Sequence, residues 1–197
     1  AKSGVKIVAG DTKVIPRGGV DGLFINTAGI GEIIYDGISA HNLHEEDCII
    51  VSHQVGNHGA CILAQREEIE LESDLQTDCA TLWASVEGLI NAGVKIHALR
   101  DATRGGLSAV LNEWAQTSHV CIEVYEEHIP VADEVKGICE LLGFEPYEFA
   151  NEGTMVICVP PSEVEKVLSV LAGYEETKDA AMIGRVSQRF NDRVILH

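Results

Sequence analysis

Apolar residues in this chain fall into short runs that alternate with stretches of helical period. Val5 to Ala9 and Leu23 to Ala28 predict strands joined through a polar turn at Arg17-Gly-Gly19. Gly29-Ile-Gly31 loosens the pattern, and residues 36–46 are polar and His-rich, which predicts a domain boundary near residue 40. Cys48 to Ser52 reads as a third strand, and Gly56-Asn-His-Gly59 leads into a helix through Arg66. A longer helix over about Asp78 to Ala92 and a strand from Val94 to Ala98 follow. The helix predicted from Gly106 to Gln116 sets Val110, Leu111 and Trp114 on one face. Val120 to Tyr125 is a strand, Val131 to Leu142 a helix, Thr154 to Val159 a strand and Ser162 to Leu171 a helix. Strand-like runs around Ile183 to Ser187 and Arg193 to Leu196 close the chain. Interleaved elements of this kind predict an α+β fold, an α/β sandwich with helices packed on a sheet. Leu23 to Ile33 looks like the tail of a sheet whose earlier strands are missing, so the chain reads as a fragment.

With 197 residues and 46% hydrophobic content, the chain is long and apolar enough for a real core. A net charge of −17 argues against a nucleic-acid surface or adhesion to anionic lipid. No apolar run approaches the roughly 20 residues that span a bilayer, and no charged-then-apolar leader opens the sequence; the expected location is the cytoplasm. The six cysteines are scattered, never form a Cys-x-x-Cys pair, and sit mostly inside apolar runs, which predicts buried, reduced, structural thiols. His41 with His44, or His53 with His58, could pair as ligands, but no metal site is expected there.

Candidate chemistry concentrates in four places. In Val8-Ala-Gly-Asp-Thr-Lys-Val14, Gly10 permits a close turn, Asp11 can hold a divalent metal, and Lys13 can neutralise phosphate or move a proton; an ordinary strand-end turn has the same composition. In Leu99-Arg-Asp-Ala-Thr-Arg-Gly-Gly-Leu107 a strand ends, charged groups follow and two glycines open a helix. Its free amides suit a phosphate and Asp101 the accompanying magnesium; alternatively Asp101 or Thr103 simply caps the helix. Phe149-Ala-Asn-Glu-Gly-Thr154 interrupts the pattern before a buried-looking strand. Glu152 there can serve as a general base, or the segment is a solvated strand-entry loop. In Gly56-Asn-His-Gly59, Asn57 or His58 is expected to cap the following helix.

Together these pieces resemble the HypE family of hydrogenase expression/formation proteins, within the aminoimidazole-ribonucleotide-synthetase-like (PurM-like) ATP-binding superfamily. The resemblance runs over essentially the whole chain and is carried by Gly10-Asp-Thr-Lys13, Asp101-Ala-Thr-Arg-Gly-Gly106, Gly137-Ile-Cys-Glu-Leu-Leu-Gly143 and Phe149-Ala-Asn-Glu-Gly153. The Thr-Arg-Gly-Gly form separates it from the Asp-x-Thr-Gly-Gly-Gly of aminoimidazole-ribonucleotide synthetases and the Asp-x-Thr-Gly-Phe-Gly of selenophosphate synthetases. What the resemblance implies is ATP-dependent dehydration of a thiocarboxamide on the family's C-terminal cysteine to a thiocyanate, the source of the cyanide ligand of [NiFe]-hydrogenase iron. The implied partners are the carbamoyltransferase HypF, the HypC–HypD complex and a second copy of the chain in a homodimer. By position, Lys13 and Glu152 match the family's dehydration pair, Asp11 and Thr12 its Mg-ATP turn, and Asp101 the phosphate-side acid. Thr103, Arg104 and Asn151 complete the expected nucleotide contacts, with Asp11 and Asp101 on Mg2+.

The implied fold is a β-rich first domain that pairs with its twin in a barrel-like dimer, then a second domain resembling a ferredoxin-like sandwich. Residues 1–40 would be the remnant of the first and 41–197 most of the second. The sequence departs from the family in lacking most of the N-terminal half and the terminal Pro-Arg-Ile-Cys, so the piece by itself is expected not to turn over. Asn57 also stands where the family usually has Asp. Two rival functions share part of these features: another PurM-like synthetase or kinase acting on a small molecule, and a non-catalytic acidic scaffold that docks partners.

Overall fold

The computed structural model describes residues 3–68 and 75–197 and divides the chain into two compact units, Ala1–Asp36 and Gly37–His197. The described part of the first unit contains neither helix nor strand. The expected polar turn forms, with the Gly19 N–H donating to the Pro16 carbonyl at 3.0 Å. The strands expected at Val5 to Ala9 and Leu23 to Ala28 are therefore not formed. A strand exists only through a ladder partner, and side chains such as Ile7, Leu23 and Ile25 remain exposed.

In the second unit a six-stranded sheet organises everything else. Its strands are β1 (Cys48–Val51), β2 (Ala98–Asp101), β3 (Cys121–Val124), β4 (Met155–Val159), β5 (Ala181–Ser187) and β6 (Arg193–Leu196), in the order β2-β4-β1-β5-β3-β6. All neighbours are antiparallel except β3 and β6. Ile183 is skipped between Ile49↔Gly184 and Ile50↔Met182, a bulge that bends β5 against β1. Every residue of β1, β3 and β4 is buried, so β1 and β4 read as continuous apolar runs rather than alternating ones, while β3 is broken by the buried Glu123, which pairs with Arg185.

The helices are α1 (Asn57–Arg66), α2 (Trp83–Asn91), α3 (Gly106–Ser118), α4 (Asp133–Leu142) and α5 (Val164–Leu171). As its period predicts, α3 turns Leu107, Val110, Leu111 and Trp114 onto the sheet, where they pack with Ile49, Ile122 and Val156. Complete burial of such side chains contributes roughly 1.5–3 kcal/mol each. The helices α1 and α4 share a smaller cluster around Ala60, Val135 and Ile138, and α2 packs on α5. Among the described residues, no helix is long and apolar enough to cross a membrane.

Two boundaries differ from expectation for long-range reasons. The helix expected from Asp78 starts at Trp83, because Asp78 is engaged with the loop before β4. The strand expected from Val94 starts at Ala98, because the Val94 N–H closes the end of α2 on the Leu89 carbonyl at 3.1 Å.

Candidate functional site

Asn151, wholly buried, ties three segments together. Its Oδ1 accepts from the Gly56 N–H at 2.8 Å, and its Nδ2 donates to the Ala102 and Phe149 carbonyls at 3.0 and 3.1 Å. The Asn151 N–H also donates to the Ala102 carbonyl at 3.0 Å, and the Gly59 N–H donates to the Ala150 carbonyl at 2.9 Å. The start of α1, the connection from β2 to α3 and the loop before β4 thus meet at one amide. Neither Asn57 nor His58 caps α1, contrary to expectation; the first-turn donor at Gly59 is satisfied from the 149–151 loop instead.

The same loop is fastened from its other side by Asp78. This buried carboxylate accepts from the Glu152 N–H at 3.0 Å, the Gly153 N–H at 3.0 Å and the Thr154 hydroxyl at 2.9 Å. Charge-assisted hydrogen bonds of this kind hold backbone more firmly than neutral ones. Asn151, Gly153 and Thr154 are buried while Glu152 is exposed, so the solvated strand-entry loop considered from sequence is in fact a packed turn presenting a single carboxylate.

Small residues make this convergence possible. A Cβ at Gly153 would lie 1.7 Å from the Asp78 carbonyl oxygen, and one at Gly59 2.7 Å from the Phe149 Cβ. Gly106 has φ +61 and a Cβ there would stand 2.4 Å from the Phe149 carbonyl oxygen. Gly105, at φ 75, starts α3 in the left-handed region with no side-chain cap, so neither Asp101 nor Thr103 plays that part. Asp101 ends β2 opposite Met155, exposed; Thr103 is half-buried and Arg104 exposed on the connection that follows. A cleft of about 300 Å³ lies alongside, lined by His53, Gln54, Asn57, Asp78 and Glu134 among others.

In the first unit, Asp11, Thr12 and Lys13 are all exposed, with Lys13 Nζ 4.0 Å from Asp11 Oδ2. Four cysteines follow expectation, with Cys48, Cys121, Cys139 and Cys158 buried and free, whereas Cys61 is half-buried and Cys79 exposed. Burial pushes the Cys139 thiol up to about 11, aided by Glu145. The suggested pairings of His41 with His44 and of His53 with His58 are not found. His58 Nδ1 contacts the Thr77 hydroxyl at 2.8 Å, and His53 Nδ1 faces Asp179 at 3.4 Å.

Residues 44–197 match the model of the AIR synthase related protein, C-terminal domain. The chain belongs to the AIR synthase related family. Within that family it is 48% identical over 191 residues to the carbamoyl dehydratase HypE of Escherichia coli K12, covering 95% of this chain and 56% of that protein. Among solved structures, a HypE in complex with HypF matches at TM-score 0.78 and 36% identity, over 83% of this chain and 53% of that one. A HypE in complex with ATP matches at TM-score 0.77 and 34% identity, over 81% and 49%. The chain spans about half the length of the curated relatives it matches.

Two features of this AIR synthase related domain escape sequence reasoning. Asp78 carries no local signal of its part in the clamp, because its partners lie 74 to 76 residues away. A contact among His44, Asp47 and His97 likewise joins residues about 50 positions apart.

Proposed function

We propose that the protein is an ATP-dependent carbamoyl dehydratase of the HypE type, working in [NiFe]-hydrogenase maturation. The observation that carries the reading is the Asp78–Asn151 clamp, which exposes Glu152 alone from a buried loop, in a chain 48% identical to a carbamoyl dehydratase. In the proposed reaction a thiocarboxamide, on the C-terminal cysteine that the family carries, is phosphorylated by ATP at the amide oxygen. Glu152 removes an amide proton, Lys13 balances the charge developing on oxygen, and phosphate departs as the C≡N bond forms. The products are the thiocyanate, ADP and phosphate. A thiolate carrier is required because it accepts the carbamoyl group from HypF.

The start of α3, free of a side-chain cap, suits a phosphate group. We assign Thr12, Thr103 and Arg104 to nucleotide contacts, and Asn151 to holding the loop of the second unit. Asp11 and Asp101 are each exposed and each offer the hard carboxylate oxygen that Mg2+ prefers, and we assign both to the Mg2+ that would neutralise phosphate charge. We assign residues 1–40 to the family's first domain type and 41–197 to the second. HypC–HypD as the recipient of cyanide, a homodimer and a cytoplasmic location belong to the same proposal.

The test uses the protein in a form that includes the family's terminal Pro-Arg-Ile-Cys, incubated with HypF, carbamoyl phosphate and Mg-ATP. Intact mass is expected to show a carbamoyl adduct that then loses one water. ATP consumption on a free small molecule with no adduct would overturn the reading in favour of a PurM-like synthetase.

A further inference from the structure

We propose that His44, Asp47 and His97 form a solvent-open site for a divalent transition-metal ion of the zinc type. His44 and Asp47 come from one tight turn, closed by the Asp47 N–H on the His44 carbonyl at 3.1 Å and by the His44 N–H on Asp47 Oδ2 at 2.8 Å. His97 precedes β2, and its backbone is fixed on both sides. Its N–H donates to the Cys158 carbonyl at 2.9 Å, and its carbonyl accepts from the Ser39 N–H at 3.0 Å. Three ligating atoms are thereby brought together by backbone that is already in place.

Their spacing is that of a coordination face. His97 Nδ1 lies 2.7 Å from Asp47 Oδ2 and 3.2 Å from His44 Nδ1, and the third edge, His44 Nδ1 to Asp47 Oδ2, is 3.7 Å. A circle through three points with these edges has a radius of about 1.9 Å, matching one face of a tetrahedral site with metal–ligand bonds of about 2.0–2.1 Å. Among the described residues, this is the one group of three or more His, Cys, Asp or Glu side chains whose ligand atoms gather so closely.

Proton bookkeeping in the metal-free cluster points the same way. His97 Nδ1 carries at most one proton, and the nearer Asp47 oxygen takes it. The His44 Nδ1 lone pair then faces an N–H already engaged. A cation satisfies both nitrogens and the carboxylate at once. Two imidazoles and one carboxylate favour zinc, cobalt, nickel or copper over magnesium or calcium.

Burial sets the character of the site. The side chains of Asp47 and His97 are 4% and 9% exposed and that of His44 64%, so the fourth position opens to water. His97 Nε2 is buried without a hydrogen-bond partner, so the ligand lacks the outer contact that strengthens permanent sites. The ion is therefore exchangeable, and binding it fastens the turn before β1 to the start of β2.

The full chain, stripped with a chelator, is titrated with Zn2+ against a chromophoric competitor and separately with Co2+. One Zn2+ per chain and a cobalt spectrum of tetrahedral intensity are expected. His44→Ala and Asp47→Asn are expected to weaken Zn2+ binding by about tenfold or more. His44→Ala is expected to leave the metal-free melting temperature unchanged, because His44 is exposed, and the control His58→Ala to bind as the parent does. Absence of one-equivalent binding, an octahedral cobalt spectrum, or His44→Ala binding Zn2+ within twofold of the parent would overturn the site.

Discussion

The segment Gly10–Lys13 and the loop at Phe149–Thr154 carry the two proposed catalytic residues, yet they are supported in opposite ways. Around Glu152 each neighbour is buried, and the backbone is gripped by Asp78 and Asn151. Lys13 is exposed beside a single 4.0 Å ion pair, in a unit with no described helix or strand. One half of the proposed chemistry is held in place by its own domain. The other rests on a segment whose apolar side chains, such as Ile25, find no core within their own unit.

The largest effect is expected at the clamp. Gly153→Ala drives a Cβ into the Asp78 backbone, a contact no rotamer can relieve, and should destabilise the domain by about 4 kcal/mol or prevent folding. Urea unfolding measures it. The two regions separate next under one and the same truncation. Ile122→Ala, in the sheet core at 0% exposure, should cost about 3 kcal/mol, whereas Ile25→Ala, at 79%, should cost under about 0.5 kcal/mol. Equal midpoint shifts for the pair would erase the contrast.

A smaller loss, about 2 kcal/mol, is expected for Asp78→Ala, which leaves the buried Gly153 N–H without its acceptor and the Thr154 hydroxyl with only the Gln54 carbonyl at 3.2 Å. Faster hydrogen exchange at Glu152 and Gly153 should accompany it, with no change in residues 3–36. The smallest effect is alkaline. The Cys139 thiol ionises at 9.0 when unfolded and at about 11 when folded, so above pH 9 the unfolded state releases its proton first. Stability should accordingly fall between about pH 9 and 11, and Cys139→Ala should flatten that part of the profile.

Much of the second unit is legible in the sequence because its signals are local. The period of α3 and the unbroken apolar runs of β1 and β4 each reflect burial that neighbouring residues share. Val5 to Ala9 carries a similar run, broken only by Lys6, but a strand needs a partner that sequence periodicity cannot supply. Asp78 reads as a helix start because its preference for such positions is local, whereas its real partners are donors on a distant loop. Asn151 and Glu152 stand out in the sequence as a polar break, though not as one buried and one exposed residue. That difference arises only where α1, the β2–α3 connection and the loop converge.

The most direct test of the account is single-turnover loss of water from the carbamoylated protein in the Glu152→Gln variant, with its melting temperature measured alongside. The account predicts an adduct that forms normally and retains its water, in a protein as stable as the parent because the Glu152 side chain is exposed and the clamp uses only its backbone. Dehydration at the parental rate would contradict it.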